Sequence, residues 1–225
     1  MRYGDIRFYD EAFHILAIFP QYLSVNWQLY FSRYGTVEIH MEKCAETVAL
    51  LTKHKYLFLV QDDRQAVVTG VQIGTDCAVF GRTPEWLLTK FLLTEFSAAE
   101  AVQQGALSAA CGSKLACLAV QTGLKNVCTI TTEAPDDDET DRSSYQIDSA
   151  KSVYDIVTDC LTEQHFGFSL RFDVQTGGFS FCVLCAKQND AAVFAEELKT
   201  AYDSTYTFDL QNEASGGVYY HKLTN

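Results

Sequence analysis

The first third of the sequence is a series of short apolar runs that are separated by turn-forming pieces. The runs are rich in aromatic and β-branched residues: DIRFYD, FHILAIF, SVNWQLYF, TVEIHME, KYLFLVQ and AVVTGVQIGTDCAVFG. Short runs of this composition between turn signals are typical of β-strands. This part of the chain therefore predicts an antiparallel β structure.

Side-chain alternation supports this interpretation. In SVNWQLYF one face carries Val25, Trp27, Leu29 and Phe31, as in a strand that is buried on one side. Gly35 stands where a hairpin would turn. Residues 62–64 supply a polar turn between the next two runs.

Three helices are predicted in the middle and later parts of the chain, over 83–91, 97–111 and 149–165. Thr83 can cap the first helix, and Pro84 suits its first position. Ser97 and Glu100 form a capping box for the second helix, and Gly112 is expected to end it. The stretch from Ser113 to Gly123 is a further helical candidate.

The third helix is amphipathic and leads into a hairpin. Asp148 or Ser149 is expected to cap it, and one buried stripe is formed by Val153, Ile156, Val157, Cys160 and Leu161. Beyond Gly167, FGFSLRFDV and GFSFCVLCAK are expected to pair across QTGG. Later strands are expected in AAVFAEELK, STYTFDLQ and GGVYYHKLT.

An acidic tract separates the two helical regions. Its six acids are Glu133, Asp136, Asp137, Asp138, Glu139 and Asp141. A calcium loop spaces its acids around a glycine that allows a sharp turn, and this tract has no such glycine. A solvated loop is the predicted structure.

These elements predict an α+β, mainly β fold, with small, partly barrel-like antiparallel sheets and about three helices. We expect an N-terminal β-rich unit at 1–132 with a helical insertion at 83–123. An acidic loop or linker at 133–147 and a helix–hairpin β unit at 148–225 would follow. Alternatively, the later unit returns to complete the first sheet, and the chain is one intertwined domain.

Composition excludes several classes of protein. The chain has 225 residues, is 48% hydrophobic and carries a formal net charge of −12, which argues against the basic surface that nucleic-acid binding requires. No apolar run has the length of a membrane span. The acidic N-terminal stretch does not resemble a signal peptide, so the chain is expected to be made and kept in the cytoplasm.

The eight cysteines are expected to be reduced and mostly buried. They stand at positions 44, 77, 111, 117, 128, 160, 182 and 185. Cys182 and Cys185 form the Cys-x-x-Cys of the chain, but alternation in a strand points them to opposite faces. A shared metal ion or a relaxed disulfide is therefore not expected between these two thiols.

No catalytic, cofactor-binding or metal-binding residues are predicted, and no cofactor is expected. The chain has no phosphate loop, dinucleotide fingerprint or Gly-x-Ser-x-Gly motif. One alternative is a cell-wall thiol hydrolase that uses Cys160 with His165, but Cys160 lies on the apolar stripe. His40 is interpreted as a strand residue with a solvent-facing ring.

Aromatic content leaves a second alternative, a carbohydrate-binding β module. The side chains in question are Trp27, Tyr30, Tyr34, Tyr219 and Tyr220. Aromatic residues occur in β-rich cores and also at interfaces, and we interpret these five as core residues.

The order of elements and several local phrases resemble the siphophage tail-hub family, known from phages of Gram-positive bacteria. The likeness is carried by DIRFYDEAFHILAIFPQYLSVNWQLYFSRYGTVEIHM, AVVTGVQIGTDCAVFGRTPEWLLTKF, SAKSVYDIVTDCLTEQHFGFSLRFDVQTGGFSFCVLCAKQND and AVFAEELKTAYDSTYTFDLQNEASGGVYY. Members of the family run on past the point that corresponds to Asn225, and their later hairpin ends in a more charged phrase than KQND.

The resemblance implies a structural protein of the phage or prophage tail tip or baseplate, located in the virion tail. Its partners would be other tail proteins, namely tube, distal-tail and tail-fibre components. It would form a homo-oligomeric ring, commonly a trimer, that joins the tail tube to the host-facing parts. A net charge of −12 suits an inner surface that does not retain passing DNA.

Overall fold

The computed structural model describes residues 4–136, 138–161 and 166–185, and the backbone of residues 206–208 and 217–222. All six of the strand-like runs in the first third form strands. These are β1 (Ile6–Tyr9), β2 (Ile15–Phe19), β3 (Ser24–Tyr30), β4 (Thr36–Met41), β5 (Phe58–Gln61), β6 (Arg64–Ile73) and β7 (Cys77–Arg82). The last run supplies both β6 and β7.

The helices differ from the prediction in number and length. Four α-helices and one 3₁₀ helix lie within the described residues: α1 (Ala45–Lys53), the 3₁₀ helix (Pro84–Lys90), α2 (Ala98–Gln103), α3 (Gly112–Leu124) and α4 (Val153–Leu161). Helix α1 was not predicted from the sequence. Its cap is Cys44, whose sulfur accepts from the Thr47 N–H, and cysteine is not among the usual capping residues.

The predicted helix over 97–111 was too long. Ser97 does cap α2, but the chain turns after Gln103 through Gly105, whose φ of +72° suits glycine. Gly112 was expected to end this helix and instead begins α3. The capping residue Ser97 predicted the beginning of α2 correctly. The end of α2 is set by the turn at Gly105, which the prediction did not take into account.

The helix predicted over 149–165 begins later, at Val153. The Ser152 hydroxyl, not Asp148 or Ser149, accepts the capping hydrogen bond from the Asp155 N–H at 3.0 Å. The predicted stripe is confirmed, because all five of its side chains are buried. The end of the prediction, 162–165, lies outside the described residues.

Short strands and a hairpin complete the described elements. They are β8 (Leu92–Leu93), β9 (Phe96–Ser97), β10 (Ile130–Glu133), β11 (Gln146–Ile147), β12 (Lys151–Ser152), β13 (Phe166–Asp173), β14 (Gly178–Cys185), β15 (Tyr206–Phe208) and β16 (Gly217–Lys222). The hairpin across QTGG is confirmed as β13–β14. The predicted strand in AAVFAEELK lies outside the described residues.

The main sheet has nine antiparallel strands in the order β15-β16-β3-β4-β7-β6-β5-β1-β2. A second sheet has the order β10-β14-β13, with β10 parallel to β14. Two-residue ladders join β9 to β11 and β8 to β12. The α+β, mainly β fold class is confirmed, and β16 shows that late strands return to the first sheet.

The main sheet curls without closing. β2 and β3 lie six positions apart in the strand order, yet only residues 20–23 connect them. Such a short link brings both strands to the same side of the molecule. Within the described residues β2 and β3 do not pair, and β3 pairs instead with β16, so the partly barrel-like sheet remains open.

A buried hydrogen bond crosses the inside of this curl. The Trp27 Nε1–H of β3 donates to Oε1 of Gln61 in β5 at 2.7 Å. The Gln61 amide donates in turn to the Tyr22 hydroxyl at 2.9 Å. Tyr22 lies in the link between β2 and β3. The network therefore connects β3 and this link to β5 through the side chain of Gln61.

Two clusters of buried side chains fill the structure. The first lies inside the curled sheet beneath α1 and includes Phe8, Trp27, Ile39, Leu59 and Val79. The second is built from α3, α4, β13 and β14 and includes Leu115, Val120, Ile156, Leu170 and Phe181. Helix α3 thus packs with the later helix–hairpin unit. The domain boundary expected at 133–147 stays a prediction.

Candidate assembly surface

The outer edge of β2 is unpaired among the described residues. The strand reads ILAIF and carries no charge, and the side chains of Ile15 and Ile18 are each 51% exposed. An apolar edge strand without a charged side chain is a template for pairing with another strand. This edge is the candidate assembly surface.

The outer edge of β13, by contrast, is closed by acceptors from the first part of the chain. Three alternate N–H groups donate away from β14: Phe168 to the Phe31 carbonyl (3.1 Å), Leu170 to the Glu85 carboxyl (2.9 Å) and Phe172 to the Gln65 side chain (2.9 Å). The Gln65 amide also donates to the Phe172 carbonyl at 2.8 Å. Gln65 therefore imitates a neighbouring strand, and this edge is not free for a partner.

Phe13 connects β13 to β5 of the first sheet through ring contacts. Its ring stacks on Phe172 with centroids 5.2 Å apart and lies 4.8 Å from the ring of Phe58. The backbone of Phe13 has a φ of +60°, which is rare for a bulky residue. The Asp10 carboxylate holds this conformation by accepting from the N–H groups of Ala12 (2.9 Å) and His14 (2.8 Å).

His40 bridges two carboxylates on the outer face of the sheet. Its Nδ1–H donates to Asp76 at 2.5 Å, and its Nε2–H donates to Glu38 at 2.9 Å. A neutral imidazole has one N–H, so the two bonds together require the imidazolium. These bonds, first that of Asp76, raise the pKa of His40. The ring is 35% exposed, so the predicted solvent-facing position was right but the two partners were missed.

The Cys-x-x-Cys thiols do not meet. Cys182 is half-buried and lies 4.0 Å from a Glu133 carboxylate oxygen, while Cys185 is exposed. Their interpretation as packing residues is therefore wrong for Cys185. Within the described part of the chain, no group of three or more His, Cys, Asp or Glu side chains is placed to hold a metal ion.

The remaining cysteines divide by burial. Cys77, Cys111, Cys117 and Cys160 are buried, Cys128 is half-buried and Cys44 is exposed. Burial raises the pKa of Cys160 to about 12. A thiol with so high a pKa makes a poor nucleophile, which weighs against the hydrolase alternative. Its suggested partner, His165, lies outside the described residues.

The aromatic residues that were interpreted as core differ in their burial. Trp27 is buried, and Tyr30 and Tyr34 are half-buried. The side chains of Tyr219 and Tyr220 are not described. Tyr56 is the one aromatic residue among the large, exposed apolar side chains of the described region.

Several long-range hydrogen bonds could not be predicted from the sequence. Glu85 and Gln65 reach β13 across separations of 85 and 107 residues, and no local pattern marks them as edge acceptors. Asp138, which was assigned to a solvated loop, accepts from the Ser113 N–H at the start of α3. The local sign of this role is the Asp-x-Thr sequence, since Asp138 also accepts from the Thr140 N–H at 3.0 Å.

No helix within the described residues is both long and apolar enough to cross a lipid bilayer. No protein-family model matches the chain, and no curated protein matches it in sequence.

Comparison with solved structures finds distant similarities. The chain is similar to the prophage tail protein gp18 from Listeria monocytogenes EGD-e, with a TM-score of 0.47 and 9% identity, over 80% of this chain and 50% of that one. It is similar to a chain of the lidded Francisella PdpA-VgrG complex, with a TM-score of 0.40 and 10% identity, over 85% of this chain and 29% of that one. For the half-lidded complex the TM-score is 0.40 with 8% identity, over 95% of this chain and 35% of that one.

The chain therefore spans about half the length of the Listeria protein and about a third of the Francisella chains. Similarities at this level do not by themselves assign a function.

Proposed function

We propose that this chain is a structural component of a phage or prophage tail tip, a hub-like protein that joins the tail tube to the host-facing parts. It acts by association with other proteins and not by catalysis. The observation that carries the proposal is the uncharged, unpaired edge of β2 in a chain whose net charge is −12. The resemblance of the quoted stretches to the tail-hub family supports the same role.

The occupant of this edge is a second copy of the chain. β2 and β15 are the two ends of one sheet, and the outer edge of each is unpaired among the described residues. Pairing of β2 in one copy with β15 in the next continues the sheet from copy to copy. Such head-to-tail contacts close into a ring when the rotation between copies permits it. A trimer is the number that the family resemblance implies.

Two variants of the full chain test this arrangement. Ile15→Lys combined with Ile18→Lys places charges on the edge of β2, where both side chains are already exposed. Thr207→Pro interrupts β15, because proline lacks the N–H that a ladder needs. The control is Leu92→Lys, at a side chain that is 65% exposed elsewhere in the structure.

Sedimentation velocity gives the readout. The wild type and Leu92→Lys are expected to self-associate, while each edge variant alone remains monomeric. In a mixture of the two edge variants, the lysine variant keeps an intact β15 and the proline variant keeps an intact β2. These two edges can pair once, so a 1:1 dimer and nothing larger is expected. A monomeric wild type, or edge variants that assemble like the wild type, would refute the proposed pairing.

A further inference from the structure

Glu85 is a buried carboxyl group whose hydrogen bonding is half complete. The residue is 8% exposed, and Oε1 accepts from the Leu170 N–H. Oε2 is buried without a hydrogen-bond partner among the described residues. Removing an ionised carboxylate from water is costly unless it is fully paired, so this environment favours the neutral acid.

The groups around Glu85 are mostly uncharged. Thr83 and the Leu170 N–H favour the ionised form through hydrogen bonds, and Arg171 of β13 favours it through its charge. The Arg171 guanidinium itself donates to the Asp63 carbonyl at 2.6 Å. The Gly35 N–H, from the turn between β3 and β4, donates to the Thr83 hydroxyl at 2.7 Å. Gly35 and Gln65 of β6 carry no charge. Burial outweighs the opposing contributions and raises the pKa of Glu85.

Glu85 also occupies the central position of the closed edge. Its bond to Leu170 lies between the Phe31 bond at Phe168 and the Gln65 bonds at Phe172. Loss of the central bond leaves this edge with the backbone bonds at Phe168 and Phe172 and the Arg171 side-chain bond to the Asp63 carbonyl.

We propose that the protonation state of Glu85 controls the closed edge of β13: the neutral side chain holds the edge against the first sheet, and the ionised side chain releases it. A raised pKa in the closed form means that closure is most stable below the ordinary glutamate value near 4.5. Closure weakens as the pH rises through the pKa of the closed form. Release exposes the Leu170 N–H on an unpaired strand edge, whether or not the chain assembles.

Amide hydrogen exchange of the full chain tests this device. Leu170 N–H faces Glu85, whereas the next amide, Arg171, belongs to the ladder with β14. After correction for intrinsic exchange, the protection of Leu170 is expected to fall by up to about tenfold per pH unit above the ordinary glutamate pKa. Arg171 should keep its protection, which makes it an internal control.

Two substitutions separate ionisation from other effects of pH. In Glu85→Gln the acceptor remains but cannot ionise, so the protection of Leu170 should not change with pH. Glu95→Gln removes an exposed acid and should behave as the wild type. A pH-independent Leu170 in the wild type overturns the proposal even if Glu85→Gln fails to fold. A fall in Glu85→Gln equal to that of the wild type overturns it as well.

Discussion

The carboxylate of Asp138 accepts a hydrogen bond from the backbone N–H of Ser113 at 2.6 Å, across a separation of 25 residues. The side chain of Cys111, at the cap position of α3, does not accept a capping hydrogen bond from the first turn of the helix, so the acidic loop supplies the cap from a distance. A carboxylate at a helix N-terminus also interacts favourably with the helix dipole. Part of the acidic tract is therefore bound to the fold.

Replacing Asp138 with alanine should lower the free energy of unfolding by roughly 0.5–2 kcal/mol, the usual effect of losing a capping side chain. Asp136→Ala removes an equal charge from an exposed position in the same loop and should change it by less than about 0.5 kcal/mol. Urea unfolding measures both variants. Equal effects would show that the loop acts through its charge alone.

The same contact predicts a dependence on acid. Burial works to raise the pKa of Asp138, but the hydrogen bonds from Ser113 and Thr140 outweigh it and the pKa is lowered. A lowered pKa contributes stability above the ordinary value near 3.8, and this contribution is lost as the pH falls through the folded value. Asp138→Asn should lose less stability on acidification than the wild type, as measured by thermal unfolding.

Phe13→Ala, in the loop between β1 and β2, should be strongly destabilising. The ring is 8% exposed and packs against the rings of Phe58 and Phe172, and deletion of a buried phenylalanine costs about 3–5 kcal/mol. Glu11→Ala, at an exposed position of the same loop, should have little effect. Chemical unfolding distinguishes them, and a loss below about 1 kcal/mol for Phe13→Ala would contradict its role as an anchor.

Because of His40, the folding stability of the protein should decrease as the pH rises above neutrality. Its pKa is raised above the ordinary 6.5, so the stability from the two bridging bonds is complete below that value. It is lost as the pH rises through the folded value. Thermal unfolding from about pH 6 to about pH 9 should show a smaller decline in His40→Gln than in the wild type. His54→Gln, a substitution of another histidine, should retain the wild-type decline.

Thiol labelling should follow burial and local hydrogen bonding. Cys44 is exposed, and the Thr47 hydroxyl is the first cause of its lowered pKa. Cys44 should therefore react with iodoacetamide before Cys185, and Cys160 should react only after unfolding. Thr47→Val keeps the shape but removes the hydroxyl, so it should slow labelling of Cys44 and leave that of Cys185 unchanged. Peptide mass mapping identifies the labelled cysteines. Labelling of Cys160 in the folded protein would contradict its buried position.

Much of the secondary structure could be read from local patterns. The strands β1 to β7, the β13–β14 hairpin and the buried stripe of α4 all follow from the positions of apolar residues at the period of a strand or a helix. The predicted end of α2 and the predicted start of α4 were wrong. The start of α4 is delayed because residues 151–152 pair with β8 instead of entering the helix.

The sequence predicted that the candidate assembly surface would be an exposed strand edge, but not which strand would provide it. Exposed strand edges follow from an open β sheet, but which edge is free depends on partners that are distant in the chain. Gln65 and Phe172 are 107 residues apart, and nothing in the neighbourhood of either indicates that they exchange two hydrogen bonds.

The amino-acid sequence by itself determined that this chain is mainly β with amphipathic helices, and that it is acidic and lacks a recognisable catalytic motif. It could do so because the faces of strands and helices are set by neighbours two to four positions away. The tertiary structure alone decided that the edge of β13 is closed by Glu85 and Gln65 while that of β2 stays open. A strand edge is satisfied by whatever backbone or side-chain group the folded chain brings to it, and sequence proximity does not restrict that choice.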